Sequence, residues 1–166
     1  AASDVYKRQR PYDAVFEMDC DFSHNPDDLL RLTAELEAGA DVAVGSRYSK
    51  GVTVVNWPMS RLLMSYCASR YVRIVTGMPV CDATAGFVGY KREVLAAIDF
   101  DRIEMVGYGF QIEMKYTAWK MGFRIGEVPI IFADRTEGTS KMSGGIFGEA
   151  FFGVLALPFR TIARKK

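Results

Sequence analysis

Two carboxylates separated by one residue are the sharpest chemical feature of the sequence. Asp19 and Asp21 flank Cys20 and directly follow the apolar run of residues 13–18. Carboxylates at the end of a strand can both turn into the next loop and share a hard divalent cation, whose other ligands are water and phosphate oxygens. The alternative is that Asp21 or Ser23 only caps the helix that follows. The spacing alone leaves both interpretations open.

Basic and hydroxyl side chains form a second group, suited to an anion. Arg47 follows a short apolar stretch, and Arg61 and Ser65 are four residues apart, so a helix would present them on one face. A guanidinium fork beside a hydroxyl suits a phosphate, whereas the alternative for Arg61 is an exposed helix face. Arg135 and Lys141 lie in the segment DRTEGTSK, which lacks the G-x-x-x-x-G-K-[ST] pattern. That departure excludes a P-loop.

The composition argues against several other classes of protein. The 166 residues carry 21 Lys and Arg against 20 Asp and Glu, a net charge of +1 that argues against nucleic-acid binding. Three cysteines, an odd number, form no disulfide framework and favour a reducing, cytosolic setting. A single histidine, His24, and the lack of a G-x-S-x-G pattern leave little support for a hydrolase triad.

The elements that must position these residues follow from hydrophobic periodicity. Strands are predicted at residues 13–18, 41–44, 86–90 and 124–132, and helices at about 26–39, 59–75, 92–98, 110–121 and 146–163. Pro129 lies inside the last predicted strand, which indicates an edge strand or a bulge. Strands that alternate with helices indicate a layered α/β fold.

Six motifs occur in an order typical of one family. They are EMDCDFSHNP, GSRYSKG, W-P-x-x-R-x-x-x-S from residue 57, DATAGFVGYKREVL, GYGFQIEMKYTAWKMGF and EVPIIFADRTEGTSK. Over residues 12–141 the chain resembles the polyprenol-phosphate (dolichol-phosphate) mannose synthases, which are family 2 glycosyltransferases. The resemblance implies the GT-A-type, Rossmann-like α/β fold, with a mixed, mainly parallel sheet flanked by helices.

The resemblance also implies a domain organisation. Family members normally begin with two strand–helix units that carry IPTYNE-like and DDGS-like motifs and bind the nucleotide, and these motifs are not found here. We therefore expect an N-terminally truncated catalytic domain at residues 12–143, inactive on its own. Residues 1–11 would be a non-native or disordered leader, and residues 144–166 a C-terminal amphipathic helix with a basic end.

Carried over by motif, Asp19 and Asp21 match the D-x-D carboxylates that hold Mg²⁺ or Mn²⁺ on the sugar-nucleotide diphosphate. Asp82 in DATAGF, with Gln111 and Glu113 in FQIEM, matches positions that line the family's site.

The remaining matches concern phosphate groups. Arg47, Arg61 and Ser65 match residues that bind the phosphate of the lipid acceptor. Arg135 and Lys141 match the acceptor loop that closes over the diphosphate.

The activity implied by the resemblance is transfer of mannose from GDP-mannose to a polyprenyl monophosphate, with inversion. One alternative is a sister transferase that uses UDP-glucose or another sugar nucleotide on the same lipid. Another is a non-catalytic, membrane-associated fragment, because the nucleotide-binding strands are missing.

The predicted last helix bears on localisation. Its apolar residues are followed by Arg160, Arg164, Lys165 and Lys166, which would be attracted to an anionic leaflet. We expect peripheral attachment to the cytoplasmic leaflet, without a membrane span. The alternative is a helix that packs on the core of its own domain.

Overall fold

The computed structural model of the chain describes residues 12–134 and 144–165. The strands are β1 (Ala14–Glu17), β2 (Val42–Ser46), β3 (Val54–Val55), β4 (Val88–Lys91), β5 (Ile125–Pro129) and β6 (Phe132–Ala133). The helices are α1 (Asp28–Glu37), α2 (Met59–Thr76), α3 (Arg92–Ala97), α4 (Tyr108–Lys120) and α5 (Gly144–Ala156), with 3₁₀ turns at Phe100–Arg102 and Leu157–Phe159.

Four strands form a mixed sheet in the order β1-β4-β2-β5. β4 runs antiparallel to β1 and β2, while β2 is parallel to β5. Glu17 and Val44 both pair with Val88, so β1 and β2 end at the same edge of the sheet. The residues that follow these two strands, including Asp19 and Arg47, are therefore brought together. A smaller parallel sheet joins β3 to β6.

The sheet has apolar layers on both faces, as a strand that is buried at every position, such as β2, requires. Val42 and Val44 belong to one buried cluster with Met114 of α4, whereas Ala43 belongs to a second cluster with Leu32 of α1. Alternate residues of β2 thus serve opposite faces. This packing places α1 and α4 on opposite faces of the sheet, so the two helices flank the edge where β1 and β2 end.

Prolines account for two differences from the predicted elements. The predicted strand at 124–132 ends at Pro129 and resumes as β6, because proline cannot donate to the ladder; β5 is an edge strand of the described sheet, as the proline predicts. The predicted helix at 146–163 ends as α5 at Ala156, and Pro158 lies in the 3₁₀ turn that follows. The chain then pairs with the end of α3 through a bond of 2.8 Å from the Lys165 N–H to the Ala97 carbonyl.

No helix within residues 12–134 and 144–165 has the length and apolar character needed to cross a membrane.

Candidate active site

A cavity of about 870 Å³ lies at the sheet edge where β1 and β2 end. Its wall contains six residues predicted from the sequence to form the site: Asp19, Asp21, Arg47, Arg61, Ser65 and Gln111. Asp82 and Glu113 are not part of the wall. The predicted acceptor-loop residues Arg135 and Lys141 lie outside the described residues, so their positions stay predictions.

The D-x-D segment forms a tight turn after β1. The Asp21 carboxylate accepts hydrogen bonds from the Ser23 backbone N–H, at 3.1 Å, and from the Ser23 hydroxyl. The Asp19 side chain is 60% exposed, and its backbone N–H donates to His24 Nδ1 at 3.3 Å. Burial lowers the pKa of His24, against the opposing charges of Asp19 and Asp21, and this favours the neutral, accepting imidazole. Neither Asp21 nor Ser23 caps α1, whose N-cap residue is Asp27.

The donor set at this turn suits a hard divalent cation. Asp19 and Asp21 both line the cavity and offer carboxylate oxygens, the ligand type that Mg²⁺ and Mn²⁺ prefer. Among the residues that the structure describes, no group of three or more His, Cys, Asp or Glu could hold a metal ion. Two carboxylates are fewer ligands than such a cation takes, so a cation at this turn would need further ligands from water or a bound molecule.

Arg47 is held in the cavity wall by a buried carboxylate. Its Nε and Nη2 donate to Asp82 at 2.6 and 2.7 Å, and Nη2 also donates to the Thr84 hydroxyl at 2.9 Å. Burial lowers the pKa of Arg47, but the hydrogen bond and charge of Asp82 outweigh it and raise that pKa above its ordinary value. Asp82 thus acts behind the wall, where it fixes the guanidinium and leaves Nη1 without a hydrogen bond among the described residues.

Arg61 contacts the aromatic ring of Trp57, which precedes it by four residues. Its guanidinium carbon is 4.1 Å from the centre of the Trp57 ring, and that of Arg47 is 5.4 Å away. Arg61 Nη1 donates to Asp134 at 2.7 Å. One indole therefore contacts both cations, which the sequence reasoning missed although the W-P motif adjoins Arg61.

Ser65 lies one turn after Arg61 on α2 and also lines the cavity, as its spacing predicts. Its hydroxyl accepts a hydrogen bond of 2.8 Å from the Tyr48 hydroxyl. Burial raises the pKa of Tyr48, so this phenol stays protonated and can donate at neutral pH.

Gln111 and Glu113 diverge, although they are two residues apart on α4. Gln111 lines the cavity and its amide donates to Glu17 at 2.9 Å. Glu113 accepts the backbone N–H groups of Glu104 and Met105 at 3.0 and 2.8 Å. Residues two apart on a helix are separated by about 200° around its axis. The structure thus places Glu113 outside the cavity wall, and its predicted role at the site stays a prediction.

The cavity wall becomes apolar along α2. Ala68 and Val72 of α2 line the cavity, as do Phe151 and Val154 of α5. Val72 and Val154 belong to one buried cluster, and the rings of Tyr71 and Phe151 stack with centres 4.7 Å apart, so the two helices pack together here. The cavity thus has a charged end, at the edge where β1 and β2 end, and an apolar end between α2 and α5, which suits an amphipathic ligand.

The sequence model of the family "Glycosyl transferase family 2" matches residues 11–99, more than half of the chain. The chain belongs to glycosyl transferase family 2. The resemblance carried by the six motifs is therefore confirmed at the level of the family.

The names of three relatives of this family 2 chain all refer to mannose and to an undecaprenyl, polyprenol or dolichol group. It is 48% identical over 146 residues to the undecaprenyl-phosphate mannosyltransferase of Micrococcus luteus, covering 88% of this chain and 60% of that protein. It is 47% identical to the polyprenol monophosphomannose synthase of Mycolicibacterium smegmatis, with shares of 88% and 55%. It is 34% identical over 134 residues to the dolichol-phosphate mannosyltransferase of Pyrococcus furiosus, with shares of 80% and 37%. The chain therefore spans 60% or less of each relative's length.

Solved structures confirm the expected fold of the family 2 chain. One similar structure, titled "Crystal Structure of a Mycobacterial Protein", has a TM-score of 0.63 at 14% identity and covers 93% of this chain and 49% of that chain. Glucosyl-3-phosphoglycerate synthase from Mycobacterium tuberculosis, in complex with Mn²⁺ and UDP-glucose, has a TM-score of 0.60 at 16% identity, with shares of 94% and 51%. At these identities the likeness supports the GT-A-type fold alone.

Proposed function

We propose that the gene product containing this chain transfers mannose from GDP-mannose to a polyprenyl monophosphate. The observation that carries the proposal is the two-ended cavity, in which Asp19, Asp21 and Arg47 lie at one end and apolar side chains of α2 and α5 at the other. A sugar nucleotide and a lipid phosphate together need such a combination. The names of the three relatives agree with this choice of sugar and acceptor.

The acceptor phosphate is the nucleophile in the proposed reaction. One of its oxygens forms a bond to the anomeric carbon while the bond from that carbon to the diphosphate oxygen breaks, so GDP leaves with the bonding electrons and the configuration inverts. The phosphate is already an anion at neutral pH, and the protein therefore needs no strong base. Its tasks are to orient the two substrates and to stabilise charge.

Arg47 and Arg61 orient the acceptor phosphate in this mechanism, with Ser65 one helical turn beyond. Arg47 is already fixed by Asp82, so little freedom is lost when Nη1 meets a phosphate oxygen. A guanidinium also offers its donors in a geometry that matches phosphate.

Asp19 and Asp21 would hold Mg²⁺ or Mn²⁺ at the donor diphosphate. When bound, such a cation supplies positive charge that stabilises the departing diphosphate. Arg135 and Lys141 are proposed to add positive charge on the same group, as the family resemblance implies.

The lipid is proposed to enter along the apolar end of the cavity while the protein rests on the cytoplasmic leaflet. Exposed apolar side chains also occur on α5, at Phe152, and in the following 3₁₀ turn, at Phe159. They would sit at the level of the lipid headgroups, which places the acceptor phosphate near the charged end.

A donor assay on the full-length gene product tests the proposal. With a short-chain polyprenyl phosphate and Mg²⁺ or Mn²⁺, we expect turnover of GDP-mannose and formation of the mannosyl lipid. Turnover of UDP-glucose instead would indicate the sister transferase, and no turnover with any sugar nucleotide would indicate a non-catalytic module.

The same assay tests the cation site. Asp21→Asn should abolish transfer at every Mg²⁺ or Mn²⁺ concentration, whereas Asp27→Asn, an exposed control in the same loop region, should not. Normal activity of Asp21→Asn would reject the metal assignment.

A further inference from the structure

Behind the charged end of the cavity, buried charged side chains converge on the segment at residues 81–86, which leads into β4. Thr84, Ala85 and Gly86 of this segment form part of the cavity wall. A side-chain carbon built on Gly86 would lie 3.8 Å from an Asp19 carboxylate oxygen, so the segment passes directly beside the D-x-D turn. Its small residues allow this close approach.

Glu127 of β5 holds the start of the segment. One carboxylate oxygen accepts the Cys81 backbone N–H at 2.8 Å, and the other accepts the Asp82 backbone N–H at 3.0 Å. Both oxygens are thus used to fix the backbone from which the Asp82 side chain extends.

Lys115 of α4 holds the end of the segment. Its ammonium group is completely buried and donates to the Ala85 carbonyl at 2.7 Å. Burial lowers the pKa of Lys115 to about 7, although the charges of Asp82 and Glu17 act to raise it. A buried lysine by itself lowers the free energy of unfolding, because a charge removed from water loses its hydration unless other groups bond to it.

Asp82 lies between these two anchors and is the residue that grips Arg47. Besides the two side-chain bonds, its carboxylate accepts the Arg47 backbone N–H at 3.0 Å. Buried ion pairs add little stability over well-packed apolar residues, but they do specify one geometry. The geometry specified here is that of the Arg47 guanidinium.

We propose that Glu127 and Lys115 are positioning residues that clamp residues 81–85 so that Asp82 aims Arg47 at the acceptor phosphate. The part of this inference that concerns phosphate rests on the proposed function. The part that concerns the orientation of Arg47 does not.

Steady-state kinetics of the full-length gene product test the first part. Glu127→Gln keeps the size of the side chain but replaces one accepting oxygen, and Lys115→Met removes the donor. We expect each to raise the KM for polyprenyl phosphate about tenfold or more, the effect of weakening one charge-assisted hydrogen bond, while the KM for GDP-mannose changes by less than about twofold. Glu37→Gln and Lys120→Met remove exposed charges of the same types and should leave both values unchanged.

A measurement without substrate tests the second part. With 5-fluorotryptophan incorporated, the ¹⁹F resonance of Trp57, assigned by its loss in Trp57→Phe, reports on the two cations at its ring, Arg47 at 5.4 Å and Arg61 at 4.1 Å. Of these two, Arg47 is the one bonded to Asp82. Glu127→Gln and Lys115→Met should shift this resonance, and the two exposed controls should not. Because no lipid or nucleotide is present, this result stands even if the gene product does not use polyprenyl phosphate.

The outcomes separate the two ideas. The positioning role is overturned if the Trp57 resonance does not shift and the acceptor KM does not change. It is also overturned if Glu127→Gln and Lys115→Met lose kcat to the same extent while the resonance does not shift. A shifted resonance in a protein that fails to turn over polyprenyl phosphate supports the clamp and rejects the proposed function. Glu127→Asp, which keeps the charge but shortens its reach, should give an intermediate shift, and it decides the matter if the other two variants do not fold.

Discussion

At the scale of single residues, the guanidinium groups at the charged end of the cavity are already held in place by hydrogen bonds within the protein. Arg47 donates hydrogen bonds from Nε and Nη2 to Asp82 and from Nη2 to Thr84, so its orientation is fixed before a ligand binds. Arg61 is stacked on Trp57 and bonded to Asp134. Donors arranged in advance stabilise a charged ligand without reorganisation of the site.

Arg47→Lys tests this pre-arrangement. Lysine keeps the positive charge but offers a point donor instead of a fork, so it cannot pair with both oxygens of Asp82 and also face the cavity. We expect the KM for polyprenyl phosphate to rise about 10- to 100-fold with little change in the KM for GDP-mannose. Arg92→Lys, at an exposed position, is the matched control. An unchanged acceptor KM would remove Arg47 from the phosphate site.

The sequence was sufficient to predict which residues lie together where their spacing along the chain decides it. Arg61 and Ser65 are one helical turn apart, and Asp19 and Asp21 share one loop, so local periodicity places each pair. The contact of Arg47 with Asp82 could not be predicted in this way. It joins residues 35 positions apart and depends on how β2 and the segment before β4 meet across the sheet.

At the scale of elements, α4 divides its charged residues between two tasks. Lys115 faces the clamp behind the cavity, and Glu113 faces the chain around Glu104 and Arg160. The motif FQIEM alone gave no sign of this division, because the direction of each side chain is set by how α4 packs between the sheet and α5. The last helix ends before Pro158, and the pairing of the chain after it with the end of α3 is a long-range contact that the sequence pattern does not show.

Glu113→Gln tests the structural assignment. The amide would weaken the acceptor for two backbone N–H groups and remove a charge 3.6 Å from Arg160. We expect the free energy of unfolding in urea to fall by about 1–3 kcal/mol, with the KM of both substrates unchanged. Glu93→Gln, an exposed control in the first turn of α3, should lower the free energy of unfolding by less than about 1 kcal/mol and leave both KM values unchanged. A raised KM without loss of stability would return Glu113 to the substrate site.

The buried Lys115 predicts a pH dependence of stability. Its pKa is about 7 in the folded chain against an ordinary 10.5, so between these values the unfolded chain binds more protons. The charged groups that act on it are Asp82, Glu17 and Glu127, which favour the ammonium, and Arg47, which opposes it. The contribution of Lys115 to the free energy of unfolding therefore rises as the pH increases through this window.

Urea unfolding at both ends of that window measures the effect. Lys115→Met should flatten the rise, because the group that releases the proton on folding is gone. Lys120→Met, on the exposed side of the same helix, should retain it. A rise of equal size in Lys115→Met would assign the pH dependence to other groups.

At the scale of the whole molecule, exposed apolar side chains and basic residues occur together in the C-terminal segment of the chain. Phe152 is 70% exposed and Phe159 is 90% exposed, and Arg164 and Lys165 follow them in the segment paired with α3. Arg160 differs from these basic residues because its guanidinium lies 3.1 Å from Glu104 and 3.6 Å from Glu113. Its charge is largely compensated within the protein, so it should contribute little to attraction by an anionic leaflet.

Liposome flotation of the full-length gene product tests this arrangement. Replacing Arg164, Lys165 and Lys166 by Gln should move the protein toward the soluble fraction on vesicles with anionic lipid, since each basic residue near such a surface contributes about 1 kcal/mol. Arg160→Gln should have a smaller effect, and Phe152→Ser with Phe159→Ser should weaken binding even on neutral vesicles, because burial of those rings does not depend on charge. Replacement of Lys50, Arg92 and Lys120, which removes equal charge elsewhere, is the control. Binding that resists both sets of changes and high salt would show that this surface does not face the membrane.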